Sequence, residues 1–193
     1  MSIRSILVAA SAAIACMATS AIAPAATEPT PSGTKTIVLH SRNGEALPIG
    51  QVKFRPAGGR TAYEVEIDHH RFKDFFLSMK EFKCLEGEGG AEVFCHVPYP
   101  YPHPRTVTEK DLSWLEHELL FFFKTPQDFG AKLWNGILFR LDATPKGWVG
   151  TPMAVDLNLI GAPPDRADVA PYGAGERSEI DPARRWFNRI TIE

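Results

Sequence analysis

Apolar and polar residues alternate most cleanly at Tyr63, Val65 and Ile67 against Glu64, Glu66 and Asp68. A period of two predicts a half-buried antiparallel strand with the first three side chains facing inward. Weaker strand patterns cover residues 36–40, before an Asn43-Gly44 turn, and residues 49–54, before a turn over 56–60. Residues 134–142 and 147–160 extend the series, with Pro152 as a candidate break. Residues 185–192 close it with a β-rich segment that must pair with a strand distant in sequence. Phe72, Phe75, Phe76 and Met79 recur at helical spacing, which predicts a short helical turn leading into a strand at 82–85.

One longer stretch reads as helix. Thr108 suits an N-cap, Glu109 and Asp111 put negative charge at the positive end of the dipole, and Lys124 and Pro126 mark the other end. Over residues 109–124, Leu112, Leu115, Leu119, Phe122 and Phe123 gather on one face, while Trp114 and Phe121 fall nearly opposite, with His117 and Glu118 between them. That second stripe requires cover, either from this chain or from a ligand or partner. Residues 161–183 are rich in Pro, Gly, Ala and charge, show no periodicity, and predict a long irregular loop that can supply such cover. Together these elements predict a mainly β (α+β) fold: a single antiparallel sheet of seven or eight short strands, curled into a barrel or sandwich, with one main α-helix at 109–124.

The N-terminus does not join this pattern. Arg4, an alanine-rich apolar run over 6–18, and Ala21-Ile22-Ala23-Pro24-Ala25 make the three parts of a secretory signal peptide, with cleavage expected after Ala25. The run is shorter than the ~20 residues a bilayer span needs. Ala13-Ile14-Ala15-Cys16 matches a lipoprotein signal only loosely, so lipidation at Cys16 is not the expectation. The expected organisation is a signal peptide over 1–25, a flexible leader over 26–33, and one globular domain over 34–193. Export to the periplasm or the exterior of a Gram-negative bacterium follows as the expected location. Removing Arg4 moves the net charge from −2 to about −3. Without a basic excess there is no electrostatic drive toward nucleic acid or an anionic membrane. No later segment is long and apolar enough to form a transmembrane helix.

Two cysteines remain after the signal peptide, Cys84 and Cys95. Opposing them sets Leu85 against Phe94 and Phe82 against Val97, and centres the reversal between Gly89 and Gly90. A disulfide stapling a hairpin is the expectation, consistent with an oxidising compartment. No C-x-x-C or second pair suggests redox chemistry or zinc.

Other chemistry is thin. Asp68, His70 and His96 supply donor types that zinc accepts, and a metal-dependent periplasmic hydrolase built on them is one alternative. Yet H-E-x-x-H is absent, because Glu116-His117-Glu118 runs on into Leu119-Leu120. No nucleophile elbow or phosphate loop occurs. The expectation is accordingly no catalytic residues, no metal and no cofactor. Pro98, Pro100, Pro102 and Pro104 alternate with Tyr99, Tyr101 and His103, which predicts a stiff extended strap displaying three rings. Ligand or partner contact is therefore expected at Tyr99, Tyr101, His103, Trp114, His117 and Phe121. The leading functional expectation is an exported, non-catalytic ligand-binding or cell-envelope accessory protein, its partner a small molecule or an envelope protein. The third reading is a structural partner of another envelope protein through the Trp114/Phe121 face.

Overall fold

A computed structural model describes residues 31–193. The expected signal peptide, Cys16 and most of the expected leader lie outside the described residues. Gly33, expected to end the leader, is already paired with Phe54.

Twelve strands form one antiparallel sheet. In chain order they are β1 (Gly33–Ser41), β2 (Ala46–Ala57), β3 (Arg60–Ile67), β4 (Lys73–Leu77), β5 (Lys80–Glu86), β6 (Val93–His96), β7 (Thr106–Val107), β8 (Phe121–Lys124), β9 (Gly136–Thr144), β10 (Gly147–Val155), β11 (Ser178–Glu179) and β12 (Phe187–Ile192). Across the sheet they run β4-β5-β6-β8-β9-β10-β12-β1-β2-β3-β7, with β11 on β10. The mainly β, antiparallel expectation holds, but the strands are more numerous and the sheet is not a closed barrel, since β4 and β7 remain as edges. It is nevertheless curled. The six-residue step from Ile67 to Lys73 joins β3, near one edge, to β4 at the other, so those ends lie within about 20 Å. Phe54 on β2 and Trp148 on β10 also touch across the hollow, ring centroids 5.5 Å apart.

Tyr63, Val65 and Ile67 face inward, as their alternation predicts, while Glu64 and Glu66 are exposed. The centre of the core is aromatic. Phe94 stacks on Phe121 at 4.5 Å and meets Phe187 at 5.4 Å and Phe139 at 6.3 Å. β12 pairs with β1 and β10, the distant partners its position at the chain end requires.

Three element assignments change. The helix α1 covers only Ser113–Glu118 and follows Leu112 rather than Thr108; Asp111 accepts from the Ser113 N–H at 3.1 Å. Residues 119–124 are not its continuation, because Phe121–Lys124 is strand β8. The reason is two-sided burial. Leu119, Leu120, Phe121 and Phe122 are all fully buried, which a strand between two packed layers achieves and a surface helix does not. Residues 73–77 are likewise strand rather than helical turn, after a single 3₁₀ turn at His69–Arg71. Residues 147–155 run unbroken through Pro152, which falls between the stretches of β10 paired to β12 and to β11. Residues 157–160 then leave the sheet as a 3₁₀ turn.

Candidate functional site

The hairpin β5–β6 has the expected register, with Cys84 opposite Cys95 and Leu85 opposite Phe94. The two sulfurs stand 1.99 Å apart, and Gly89 and Gly90 take positive φ in the reversal. Phe82 does not reach Val97. It pairs with Phe75 on β4, while the Val97 N–H donates to the Leu120 carbonyl at 2.8 Å. There the chain leaves the sheet and becomes the proline strap over residues 98–104.

The strap lies on α1. His103 stacks on Trp114 with ring centroids 4.9 Å apart, and Tyr99 contacts Trp114 at 5.6 Å, His117 at 6.0 Å and Tyr101 at 5.7 Å. Tyr172, from the long loop, stacks on the other side of His117 at 5.3 Å. Five of the six expected contact residues thus meet in one cluster, covered by their own chain. Phe121 is separate. It packs in the core against Phe94, so the Trp114/Phe121 stripe does not exist as a surface.

Polar groups lock this cluster. His117 Nδ1–H donates to the Ser113 carbonyl at 2.6 Å, and Nε2 accepts from the Tyr172 N–H at 3.1 Å. Both nitrogens of a neutral imidazole are therefore engaged, and burial lowers its pKa to about 4. His103 Nε2 lies 3.0 Å from Glu118 Oε1. Glu116 Oε1 accepts from the Leu141 N–H at 2.8 Å, where β9 has run beyond its partner β8. Its other oxygen pairs with Arg177 at 2.8 Å, and Arg177 donates to the Tyr172 carbonyl at 2.9 Å. Burial still pushes the Glu116 carboxyl upward, and the pair ties the long loop to α1.

The residues of the hydrolase alternative do not converge. Asp68 accepts from the His70 N–H at 3.0 Å as the cap of the 3₁₀ turn, and His70 is exposed. It is His69, not His70, whose ring meets His96, at 5.7 Å. His96 Nε2–H donates to the Glu118 carbonyl at 3.0 Å, and burial lowers its pKa. Among the described residues no three His, Cys, Asp or Glu side chains gather to hold a metal.

On the other side of the strap lies a half-open groove of about 740 Å³. Leu77 and Phe82 line it from the β4–β5 hairpin, Val97 and Pro98 from the strap, Leu133 from the loop before β9, and Ile160 from the 3₁₀ turn after β10. His69, Lys80, Lys83 and His96 are its basic lining residues, with Lys80 and Lys83 on opposite faces of β5, and Glu81 is the one carboxylate in its lining. Six large apolar side chains are exposed among the described residues; Phe76, Met79, Trp134 and Leu159 each adjoin a groove residue in sequence, and Phe129 lies two residues from Ala131. Met79 is 90 % exposed and Phe129 97 %.

These protrusions sit on fixed backbone. Ser78 and Met79 both take positive φ, 48° and 65°, at the tip of the β4–β5 hairpin. The Ala131 N–H donates to Ser78 Oγ at 2.9 Å and ties that tip to the loop before β9. At Gly130, φ is +64°, and a Cβ would stand 2.6 Å from the same oxygen, so only glycine fits. Asp128 caps the Thr125 N–H at 2.9 Å and pairs with Lys132, contacts that hold its carboxyl at about 2. Phe129 is therefore held outward by an ordered loop.

None of the groove's exposed rim was expected as a site. Phe76 and Met79 were read as one apolar face of a helical turn, and the alternation of a strand would have put them outside. No protein-family model matches this chain, and no curated protein or solved structure is significantly similar to it.

Proposed function

We propose that this chain is an exported, non-catalytic ligand-binding protein of the bacterial envelope, and that its ligand site is the groove between the proline strap and the β4–β5 hairpin. The observation that carries this reading is a mostly apolar groove of about 740 Å³ whose lining segments also carry most of the exposed large apolar side chains. Small-molecule sites are concave, mostly apolar and furnished with a few polar groups. The groove has that composition, with the neutral His96 and the lysines in its lining. Export is supported by the N-terminal pattern of Arg4, the alanine-rich run and the Ala-x-Ala triplets, and is compatible with two cysteines at disulfide distance. N-terminal sequencing of the protein recovered from its host should begin at Ala26; a start at Met1 or a lipid on Cys16 rejects that assignment.

The binding reading is tested with a neutral apolar dye, N-phenylnaphthylamine. One saturable site is expected, weakened severalfold by Leu133→Glu, while Val169→Glu, at an exposed position away from the groove, leaves it unchanged. A folded protein that binds no dye overturns the reading. The alternative of a structural partner in the envelope is favoured by the same exposed side chains. It gains ground if those residues mediate association while the groove takes up no apolar probe.

A further inference from the structure

The charged lining of the groove narrows the ligand class. It carries Lys80 and Lys83 against Glu81 alone. Lys83 is paired with Asp74, but both partners are exposed, and Asp74 is outside the groove lining. A ligand anion arriving from the groove meets Lys83 without displacing a buried partner. Lys80 Nζ lies 5.5 Å over the Phe82 ring, which keeps its charge beside the apolar wall. The remainder of the groove is mostly apolar, and Phe76 and Met79 stand exposed on the hairpin that supplies Leu77 and Phe82. A mostly apolar groove with two lysines in its lining is complementary to a molecule with a long apolar chain and one negative end.

We infer that the groove binds a single-chain anionic amphiphile, a long-chain carboxylate, with its chain along Leu77, Phe82, Leu133 and Ile160 and its head drawn to the lining lysines Lys80 and Lys83. This rests on the groove being the ligand site proposed above and adds the charge and shape of the ligand. No bond is made or broken. The protein holds the chain out of water and neutralises the head.

Calorimetric titration with dodecanoate, dodecanol and dodecyltrimethylammonium, each below its aggregation concentration, tests it. Dodecanoate is expected to fill one site and to bind at least fivefold more tightly than the ammonium of equal chain length. Lys83→Gln should weaken dodecanoate by about fivefold, the scale of an exposed ion pair, without weakening the ammonium. Lys83 is exposed, so the variant should keep its melting temperature, and Lys80→Gln provides a second, independent reading. Equal or tighter binding of the ammonium, or no effect of either lysine change, overturns the inference. If N-phenylnaphthylamine binds the groove and dodecanoate does not, the ligand class is wrong and the binding function stands. If neither binds, both fall. Self-association that Phe129→Ser abolishes, with no amphiphile bound, assigns the surface to a second copy of the chain and overturns the inference as well.

Discussion

The strap separates two aromatic regions that differ in what covers them. Toward α1, Tyr99, His103, Trp114, His117 and Tyr172 form a cluster in which the chain covers itself and His117 has a partner at each ring nitrogen. Toward the β4–β5 hairpin, Phe76, Met79, Phe129 and Trp134 stand out into solvent around a groove. Tyr99 belongs to both, since it lines the groove and packs on Trp114. Aromatic richness therefore does not separate a binding surface from a structural one. The difference lies in whether the chain covers its own rings or its backbone holds apolar groups outward.

The largest expected effect tests the covered side. Trp114→Ala removes a buried indole stacked on His103 and should destabilise folding by roughly 3–5 kcal/mol, as large core truncations do. Denaturant unfolding measures it. A loss below about 1 kcal/mol, with amphiphile binding abolished, would mean that Trp114 belongs to the ligand and that the two regions are one site.

The second effect concerns protons in that cluster. His117 titrates near its ordinary value of 6.5 when unfolded and at about 4 when folded. A depressed folded pKa means that the unfolded chain binds the proton first. Stability from this group is complete above about pH 6.5 and is lost as pH falls toward 4, a total of about 3 kcal/mol. His96, lowered by burial, acts in the same direction, whereas Glu116, raised by burial, acts against it. Unfolding free energies measured across this window should therefore fall with acid, and His117→Asn should flatten the fall. An unchanged slope in that variant removes His117 as the cause.

The staple comes third. Replacing Cys84 and Cys95 together by Ala should reduce stability by roughly 2–3 kcal/mol, the scale of closing a short loop. It should leave dye binding intact below the lowered melting temperature. Loss of binding in a folded double variant would show that the hairpin sets the groove's shape as well as the sheet's edge.

The sequence made the covered side legible and the open side obscure, for physical reasons. Cys84 and Cys95 fixed a register because a disulfide constrains both partners and glycines marked the reversal. Tyr63, Val65 and Ile67 declared their face because β3 is buried on one side only. The run 119–123 misled because continuous burial looks alike in a strand and in a helix, and Leu112, Leu115 and Leu119 happened to keep helical spacing. Trp114's cover by the strap could be anticipated from the prolines and rings of 98–104. The groove could not, because its walls come from four separate segments, and its rim looks in sequence like core. Phe129 in Pro126-Gln127-Asp128-Phe129-Gly130 carried the best available signal, a lone aromatic inside a turn motif that an Asp cap and a glycine hold open.

The smallest expected change bears most directly on the open side. Met79 holds φ at +65°, a conformation that costs an ordinary residue about 1–2 kcal/mol and glycine almost nothing. Glycine's greater freedom in the unfolded chain offsets part of that, so Met79→Gly should raise stability by about 0.5–1 kcal/mol. Asparagine or glycine is the usual occupant of such a hairpin tip, and a 90 % exposed methionine contributes no packing there to balance the strain. Met79 stands between the groove residues Ser78 and Lys80, so the same variant should weaken dodecanoate and dye binding together. Thermal unfolding and calorimetric titration on one preparation read both quantities. A more stable variant that binds as well as the parent would detach the hairpin tip from the site.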